Sequence, residues 1–373
     1  MSTTPDLVPA DSHQADSIPA HSVPTDFEHR LVEAIEPIRH LALAHALYTV
    51  MDNDVYDTLA GEPGLTTADL AKRHGLDAER LGGLCRYLAN EGYLAQHVPD
   101  AEPRWHLTAK ARALAPFRPW YTLLVGGYAQ TFGQLGAVLR EGAPWATRDG
   151  AKVGAGSCGM SMYDALPLAN QLLDGLPGDG LTVVDLGCGD AAFLTELVRS
   201  RPGLRGVGVE PDEVSSRLAA ERVAAEGLAD RITIHRGRAG DAGTVVLPDD
   251  GPVCFLTAFV LQEMLEQEGT GAVENLLRET MAHRPDAHWL VIEVDNRFDD
   301  PATMAHALGR AYYNPYYLLH VITEQRLEKR EFWDGLFERA GLRTEAFAHP
   351  DPRVDSTGLE LGYLLRGSGG ESV

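Results

Sequence analysis

The sequence is poor in cysteine and has no long apolar run. Its four cysteines, Cys85, Cys158, Cys188 and Cys254, are scattered and form no CxxC pair. This spacing argues against a disulfide framework and predicts reduced thiols in the cytoplasm. Since no stretch of about 18 apolar residues occurs, we expect no membrane span. No basic segment followed by an apolar one opens the sequence, so we also expect no signal peptide.

Positively charged residues are scarce relative to acidic ones. Lys and Arg number 32 against 54 Asp and Glu, which gives a formal net charge of −22. Because an excess of carboxylates repels a phosphate backbone, we expect no nucleic-acid partner. The composition favours a small-molecule substrate, including a cationic one. At 373 residues the chain is long enough for two domains, each with its own core.

The first part of the chain predicts a tail followed by a long helix. Residues 1–25 are rich in Pro, Ser, Asp and His and have almost no apolar periodicity, so we expect a disordered tail. From Phe27 onward, apolar residues recur at helical spacing. This pattern predicts one helix that continues toward Leu59.

A winged-helix arrangement is predicted next. The pattern indicates a capped helix over 66–75, a second helix over 77–90 and a small hairpin over 93–107. Such an arrangement is typical of DNA readers, but the second helix carries only two arginines and no basic patch. We therefore expect residues 26–150 to form a mostly helical winged-helix-like domain that makes a homodimer.

The pattern of residues 151–373 predicts a doubly wound α/β domain. Residues 117–139 are predicted to be helices that join the domains, and the glycine-rich residues 150–159 to be a flexible connection. Strand and helix patterns then alternate, which implies a mostly parallel sheet. The predicted strands are 182–186, 206–210, 232–235, 253–258 and 289–294, and the predicted helices are 191–200, 213–226, 270–283 and 327–340. Two late β-like runs, 343–347 and 359–365, fit an antiparallel end of the sheet.

A glycine-rich turn follows the first strand of that domain. Residues 183–191 are Val-Val-Asp-Leu-Gly-Cys-Gly-Asp-Ala, an apolar strand that runs into a tight bend before a helix. Gly187 and Gly189 let the backbone approach a ligand, and their spacing differs from the dinucleotide pattern. Asp190 suits a cationic amino-acid group. Glu210, which ends the second strand, can accept hydrogen bonds from both ribose hydroxyls.

This combination resembles motifs I and II of the class I S-adenosylmethionine (SAM)-dependent methyltransferases over residues 150–366. The resemblance implies SAM as cofactor and a Rossmann-like fold with an antiparallel last strand. The residues that it assigns to SAM binding are Asp185, Gly187, Gly189, Glu210, Pro211, Arg238 and Ala239. Two positions depart from the pattern: Ala191 stands at its third glycine, and Arg238 stands where many relatives carry an acid beside the adenine.

A winged-helix domain joined to a class I domain is also the plan of small-molecule O-methyltransferases. Those enzymes usually carry a catalytic His after the fourth strand, where this chain has Gln262. Because glutamine cannot act as a general base at neutral pH, O-methylation of a phenol is disfavoured. An O- or N-methyltransferase of secondary metabolism stays open as an alternative, as does a winged-helix regulator that senses SAM.

Four further motifs resemble the 2-ketoarginine methyltransferase family. They lie at 117–121, 293–296, 312–320 and 355–365, and the likeness extends over residues 26–366. The resemblance implies methylation of the β-carbon of an α-keto acid, such as 2-ketoarginine, in the biosynthesis of an unusual amino acid. The exact keto acid and the stereochemistry stay open.

Related keto-acid methyltransferases hold a metal, and the resemblance places its ligands at three positions. A His–acid pair falls on Gln262 and Glu263, and a later His falls on His320. Because glutamine is a poor ligand for iron or zinc, Glu263 and His320 are the candidates for holding a divalent metal or iron. Carbon attack on SAM needs an enol or enolate. We therefore predict His320 as base or oxyanion partner, Glu263 as its partner, and Gln262 as a hydrogen-bonding group.

A guanidinium substrate needs carboxylates and flat aromatic faces. Glu293, Asp295 and Asp355 are the candidate acids, and capping of the backbone is an alternative role for Glu293. The aromatic candidates can equally form pocket wall or core. They are Trp120, Tyr121, Tyr163, Tyr312, Tyr313, Tyr316 and Tyr317.

Overall fold

A computed structural model describes residues 25–97, 102–247 and 251–368. Apart from Thr25, the predicted tail lies outside the described residues. In the part of the chain that is described, no helix combines the length and the apolar character needed to cross a membrane.

The first segment is helical with a small sheet, as predicted. Its helices are α1 (Phe27–Asp52), α2 (Val55–Gly61), α3 (Thr67–His74) and α4 (Ala78–Asn90), and its strands are β1 (Leu65–Thr66), β2 (Leu94–His97) and β3 (Arg104–Leu107). The strands pair antiparallel in the order β1-β3-β2. The helix–turn–helix and hairpin of a winged helix are therefore confirmed.

Local sequence explains the boundaries of α3. The Thr66 hydroxyl accepts a hydrogen bond from the Asp69 N–H at 3.1 Å, and the Asp69 carboxylate accepts one from the Thr66 N–H at 3.2 Å. This reciprocal capping box fixes the start of the helix. Gly75, with a φ of +66°, ends it in the left-handed conformation.

The prediction of one helix from Phe27 to Leu59 is wrong. The chain breaks after Asp52, and Asp54 adopts a φ of +58° before α2 begins. Aspartate tolerates this conformation better than most residues. The break turns the chain so that Val55, Tyr56 and Leu59 reach the same core as Met51.

Short helices and one longer helix connect the two parts of the chain. They are α5 (Ala109–Arg112), α6 (Arg118–Tyr121), a π-helical turn (Thr122–Gly127), α7 (Ala129–Gly133), α8 (Leu135–Val138) and α9 (Gly150–Ser161). The flexible connection predicted over residues 150–159 is therefore wrong, because α9 covers it. A Cβ on Gly156 would lie 2.5 Å from the Leu123 backbone nitrogen. The glycines serve close packing of α9 on the preceding turn.

The second segment is a seven-stranded sheet covered by helices. Its strands are β4 (Thr182–Leu186), β5 (Arg205–Glu210), β6 (Ile232–Arg236), β7 (Val253–Ala258), β8 (His288–Val294), β9 (Leu342–Ala348) and β10 (Glu360–Gly367). Their order is β6-β5-β4-β7-β8-β10-β9, and the first five are parallel. β10 runs antiparallel to both neighbours. The predicted doubly wound sheet with an antiparallel end is confirmed.

Helices cover both faces of this sheet. They are α10 (Ala165–Leu173), α11 (Ala192–Ser200), α12 (Glu213–Ala225), α13 (Leu261–Glu268), α14 (Thr270–His283), α15 (Pro301–Ala305), α16 (Asn314–Ile322) and α17 (Arg330–Arg339), with a π-helical turn at Gly309–Tyr313. Alternate residues of a strand face opposite sides, so Val183 and Val184 belong to the two different cores of the domain.

Strand direction decides which residues meet at one edge of the sheet. The carboxyl ends of β4, β5, β7 and β8 lie together at that edge, where open α/β sheets bind their ligands. Because β10 is antiparallel, its first residue, Glu360, pairs with Val294 at the end of β8. The start of β10 therefore lies at the same edge.

Candidate active site

A cavity of about 370 Å³ lies at this edge of the sheet. Residues from the connecting helices, the strand ends and α16 line it. It brings together most of the residues predicted for SAM and for catalysis. The predicted residues that line it are Gly187, Gly189, Glu210, Pro211, Ala239, Gln262, Glu263, Tyr312, Tyr313, Tyr316 and His320.

The glycine turn lies between β4 and α11. Gly187 has a φ of +84°, and a Cβ there would lie 2.8 Å from the Cγ2 of Val260. Only glycine can adopt this positive φ and fit beside Val260 without strain. Ala191, the departure from the expected glycine, is buried and adopts a φ of +60°. The turn thus keeps its shape although an alanine occupies the third position.

Glu210 is fixed next to this turn by backbone hydrogen bonds. Its Oε2 accepts from the Gly189 N–H at 3.0 Å, and its Oε1 accepts from the Asp212 N–H at 2.9 Å. Burial raises the pKa of this carboxyl, while the two backbone hydrogen bonds oppose the rise. Each carboxylate oxygen can accept a second hydrogen bond. A bare peptide turn beside a fixed carboxylate fits the nucleoside of SAM.

Asp185 lies beneath the turn and is not part of the cavity wall. Its side chain is 4% exposed. Burial, and then the charge of Glu210, raise its pKa to about 7. Its predicted role in SAM binding stays a prediction.

Asp190 and Arg238 each have another partner, and neither lines the cavity. The Asp190 carboxylate accepts from Arg222 Nη2 at 2.5 Å and from the Ala192 N–H at 3.1 Å. It accepts a hydrogen bond from the start of α11 and is paired with an arginine, and its predicted role beside a cationic ligand group stays a prediction. Arg238 is exposed and pairs with Glu268 at 2.7 Å, and only its neighbour Ala239 lines the cavity.

His320 presents an unpaired imidazole nitrogen. Its Nδ1 lies 2.8 Å from the Tyr316 carbonyl oxygen, which can only accept, so Nδ1 carries the hydrogen and Nε2 the lone pair. Nε2 is buried without a hydrogen-bond partner. Burial lowers the pKa of His320 to about 4, with a smaller contribution from the charge of Arg148. The ring is therefore neutral at physiological pH and keeps its Nε2 lone pair, although its low pKa makes it a weaker base than an exposed histidine.

Glu263 is held in a polar network that sequence motifs did not indicate. Its Oε1 accepts from Arg148 Nη2 at 2.5 Å and from Gln325 Nε2 at 2.8 Å. The Tyr128 hydroxyl donates to Gln325 at 3.3 Å. Beside this network, Gln262 is 2% exposed and its Oε1 has no partner. Gln262 thus retains hydrogen-bonding capacity for a ligand.

The residues present do not fit a metal site. Glu263 is already paired with Arg148, whose positive charge opposes a second cation nearby. Gln262 supplies an amide, which is a poor ligand for iron or zinc. Within residues 25–97, 102–247 and 251–368, no group of three or more His, Cys, Asp or Glu side chains could hold a metal ion. We derive no catalytic step through a metal.

Two acidic residues line the cavity although neither was among the predicted site residues. Asp164 precedes α10, and Glu360 opens β10. Burial raises the pKa of Asp164 to about 6 and that of Glu360 well above its usual value, and each is raised further by nearby carboxyl charges. The antiparallel direction of β10 was the available signal, because it places the first residue of that strand at the ligand edge.

The acids predicted to bind a guanidinium have other partners. Glu293 Oε1 accepts from the Leu261 N–H at 2.9 Å, so it caps α13, and burial raises its pKa to about 8. Asp295 pairs with Arg297 at 2.7 Å. Asp355 accepts from the Tyr313 hydroxyl. In the described residues none of these three acids lines the cavity.

The predicted aromatic residues divide into two groups. Tyr312, Tyr313 and Tyr316 line the cavity. The others lie outside its wall: the Trp120 and Tyr163 ring centroids are 5.8 Å apart, Tyr121 packs on the N-terminal core, and the Tyr317 hydroxyl donates to the Asp295 carbonyl at 2.6 Å. The predicted contacts of this second group with substrate stay predictions.

The chain is similar in sequence to a known methyltransferase. It is 50% identical over 343 residues to 2-ketoarginine methyltransferase of Streptomyces arginensis, across 91% of this chain and 96% of that protein. Residues 35–116 match the family described as the O-methyltransferase dimerisation domain.

Two solved structures share the fold. The mitomycin 7-O-methyltransferase MmcR has a TM-score of 0.63 at 22% identity, over 92% of this chain and 100% of that one. Human N-acetylserotonin methyltransferase in complex with SAM has a TM-score of 0.60 at 16% identity, over 94% of this chain and 99% of that one. The sequence identity over nearly the whole chain decides the family: the protein belongs to the 2-ketoarginine methyltransferase family of class I SAM-dependent methyltransferases.

Proposed function

We propose that the protein methylates the β-carbon of an α-keto acid of the 2-ketoarginine (5-guanidino-2-oxopentanoate) class, in the biosynthesis of a non-standard amino acid. The observation that supports this most is the neutral His320, whose buried Nε2 is unpaired in the cavity that contains the glycine turn. The relative from Streptomyces arginensis is named for this substrate.

Carbon methylation needs a methyl donor and a base, and different groups supply them. SAM, when bound, supplies an electrophilic methyl group. A C–H beside a ketone is a weak acid, so a base must remove its proton before the carbon can attack. His320 Nε2 is the base in this proposal, while its Nδ1–H stays bonded to the Tyr316 carbonyl and fixes the ring.

The charge that develops on the ketone oxygen needs a hydrogen-bonding partner. Gln262 lines the same cavity, and the N–H groups of its side-chain amide, not the unpaired Oε1, are the donors that such an oxygen needs. We assign it to that oxygen. Arg148 lies behind the wall, where its contacts with Glu263 and Tyr128 hold both side chains in position. It is a positioning residue.

Product analysis tests the proposal. The protein is incubated with ¹³C-methyl-labelled SAM and a panel of α-keto acids that includes 5-guanidino-2-oxopentanoate, with and without a chelator. We expect NMR to locate the label on the β-carbon, and the rate to be unchanged by the chelator, because the residues do not fit a metal.

Two results would count against this proposal. Methylation of oxygen or nitrogen nucleophiles alone would replace it by the O- or N-methyltransferase alternative. Loss of turnover with the chelator, restored by added iron or zinc, would show that a metal is required at a site we consider unfit for one.

We further propose that the protein is a homodimer through its N-terminal segment. Residues 35–116 match a dimerisation family, and α1 exposes an apolar stripe. The side chains of that stripe are Phe27, Leu31, Val32, Ile35, Ile38 and Leu41, each 42–66% exposed. An apolar stripe of this kind is typical of a surface that binds a partner.

Light scattering tests the dimer. We expect twice the chain mass for the unaltered protein and a shift toward monomer for Ile35→Asp combined with Ile38→Asp, because two charges would be buried in the interface. Val214→Asp, at a position 54% exposed on α12, is the matched control and should leave the mass unchanged. A monomer without any substitution would refute the proposal.

Two further expectations stay predictions. One is the cytoplasmic location that the scattered cysteines favour. The other is the division of the chain at residues 26–150 and 151–373.

A further inference from the structure

Two acidic side chains of the cavity have no cationic partner. Glu360 is 4% exposed, and its Oε1 has no hydrogen bond. Asp164 uses Oδ1 to accept from the Ala165 N–H at 2.6 Å, which leaves Oδ2 for a ligand. In the described parts of the chain neither residue forms an ion pair. Buried carboxylates without a counter-charge are costly.

The surroundings of this acidic pair fit a flat cation. Tyr312 and Tyr313 line the same cavity with ring centroids 5.0 Å apart. Aromatic faces stabilise a delocalised cation. A guanidinium also offers several N–H donors in a planar fork that matches carboxylate oxygens. A compact metal ion would need more ligands than these two acids supply.

We propose that Asp164 and Glu360 form the subsite that binds the substrate guanidinium and selects against neutral α-keto acids. This inference rests on the proposed function, and it assigns the selecting acids to residues other than Glu293, Asp295 and Asp355. The antiparallel β10 and the start of α10 bring the pair to the ligand edge of the sheet.

A neutral substrate of equal size isolates the role of charge. We compare 5-guanidino-2-oxopentanoate with 5-ureido-2-oxopentanoate, in which a carbonyl replaces the charged =NH₂⁺ group. The unaltered enzyme should prefer the guanidino compound in kcat/KM. Asp164→Asn and Glu360→Gln should each lower that value by about 10–100-fold, because each removes a charge-assisted hydrogen bond, and should spare the ureido compound.

Asp295→Asn is the matched control, since Asp295 is a buried acid paired with Arg297 outside the cavity wall. It should keep the ratio of the two kcat/KM values. Both isosteric cavity variants should fold, because neutralising a buried acid without a cationic partner removes a desolvation cost, and the amide introduced by Asp164→Asn keeps an oxygen that can accept from the Ala165 N–H. The thermal midpoint of each variant checks this.

A binding measurement separates the failure of this inference from the failure of the proposed function. Calorimetry with 4-guanidinobutanoate in the presence of S-adenosylhomocysteine requires no turnover, and we expect affinity in the unaltered protein and its loss in Glu360→Gln. If carbon methylation fails but this binding pattern holds, only the proposed reaction is wrong. If the variants weaken both substrates equally, or bind the guanidino ligand as the unaltered protein does, the subsite assignment is overturned.

Discussion

Replacing His320 by alanine is expected to reduce methylation of the keto-acid carbon by about 10²–10⁴-fold, the usual contribution of a general base. The affinity for SAM should stay unchanged, because the glycine turn and Glu210 lie on other elements. Steady-state kinetics measures the loss in kcat, and calorimetry with S-adenosylhomocysteine measures the cofactor affinity.

Deuterium exchange gives a readout that a purely structural role would not move. With S-adenosylhomocysteine in place of SAM, the unaltered enzyme in D₂O should exchange the β-hydrogens of the keto acid, and His320→Ala should not. His288→Ala is the control, since His288 opens β8 at the opposite edge and pairs with Glu345. Normal exchange in the His320 variant would remove this residue from proton transfer.

The pH profile follows from the lowered pKa of His320. A base whose pKa is about 4 is about 90% or more proton-free above roughly pH 5, so kcat/KM should lose no activity to its protonation between about pH 5.5 and 7.5. Activity should fall as the pH approaches 4. Burial raises the pKa of Asp164 in the same cavity to about 6, so the profile is also recorded for Asp164→Asn. A kcat/KM fall with a midpoint near the ordinary pKa of histidine that persists in this variant would contradict the buried, neutral imidazole.

Replacing Glu210 by alanine is expected to weaken SAM binding by about 10²–10⁴-fold. Two hydrogen bonds to a charged acceptor contribute about 1.5–3 kcal/mol each, and the variant also frees the Gly189 and Asp212 N–H groups that the carboxylate holds. Glu210→Gln should lose less, since one oxygen remains. Calorimetry with SAM and S-adenosylhomocysteine measures both losses.

Glu213→Gln is the matched control for this series. Glu213 lies three residues further along, is exposed, and pairs with Arg236 at 2.8 Å. Its replacement should leave SAM affinity unchanged. If Glu210→Ala binds SAM as tightly as the unaltered protein, the carboxylate beside the glycine turn is not the ribose ligand.

Features with local causes were predictable from the sequence. The capping box of Thr66 and Asp69, the strand over 182–186 and the glycine turn after it each depend on a few neighbouring residues. A buried parallel strand is a nearly continuous apolar run. The predicted boundaries of the five parallel strands are therefore close to those observed.

Features that depend on a distant partner were not predictable. The glycines of α9 resemble a flexible linker unless the approach of Leu123 is known. Glu293 and Asp295 were natural candidates because they lie at the end of a strand. In the structure Glu293 accepts a hydrogen bond from the first N–H of α13, and Asp295 forms an ion pair with Arg297. The antiparallel return of the last strands was predicted, but that prediction alone did not identify Glu360 as a residue that reaches the cavity.

The direction of β10 also determines at which edge of the sheet this last strand ends. The strand starts at the cavity with Glu360 and ends at Gly367, near the amino end of β8. Seven residue steps at about 3.3 Å each separate the two ends by roughly 23 Å. Gly367 therefore lies at the edge of the sheet opposite the cavity, and an affinity tag or fusion partner joined directly after it would leave the sheet at that edge.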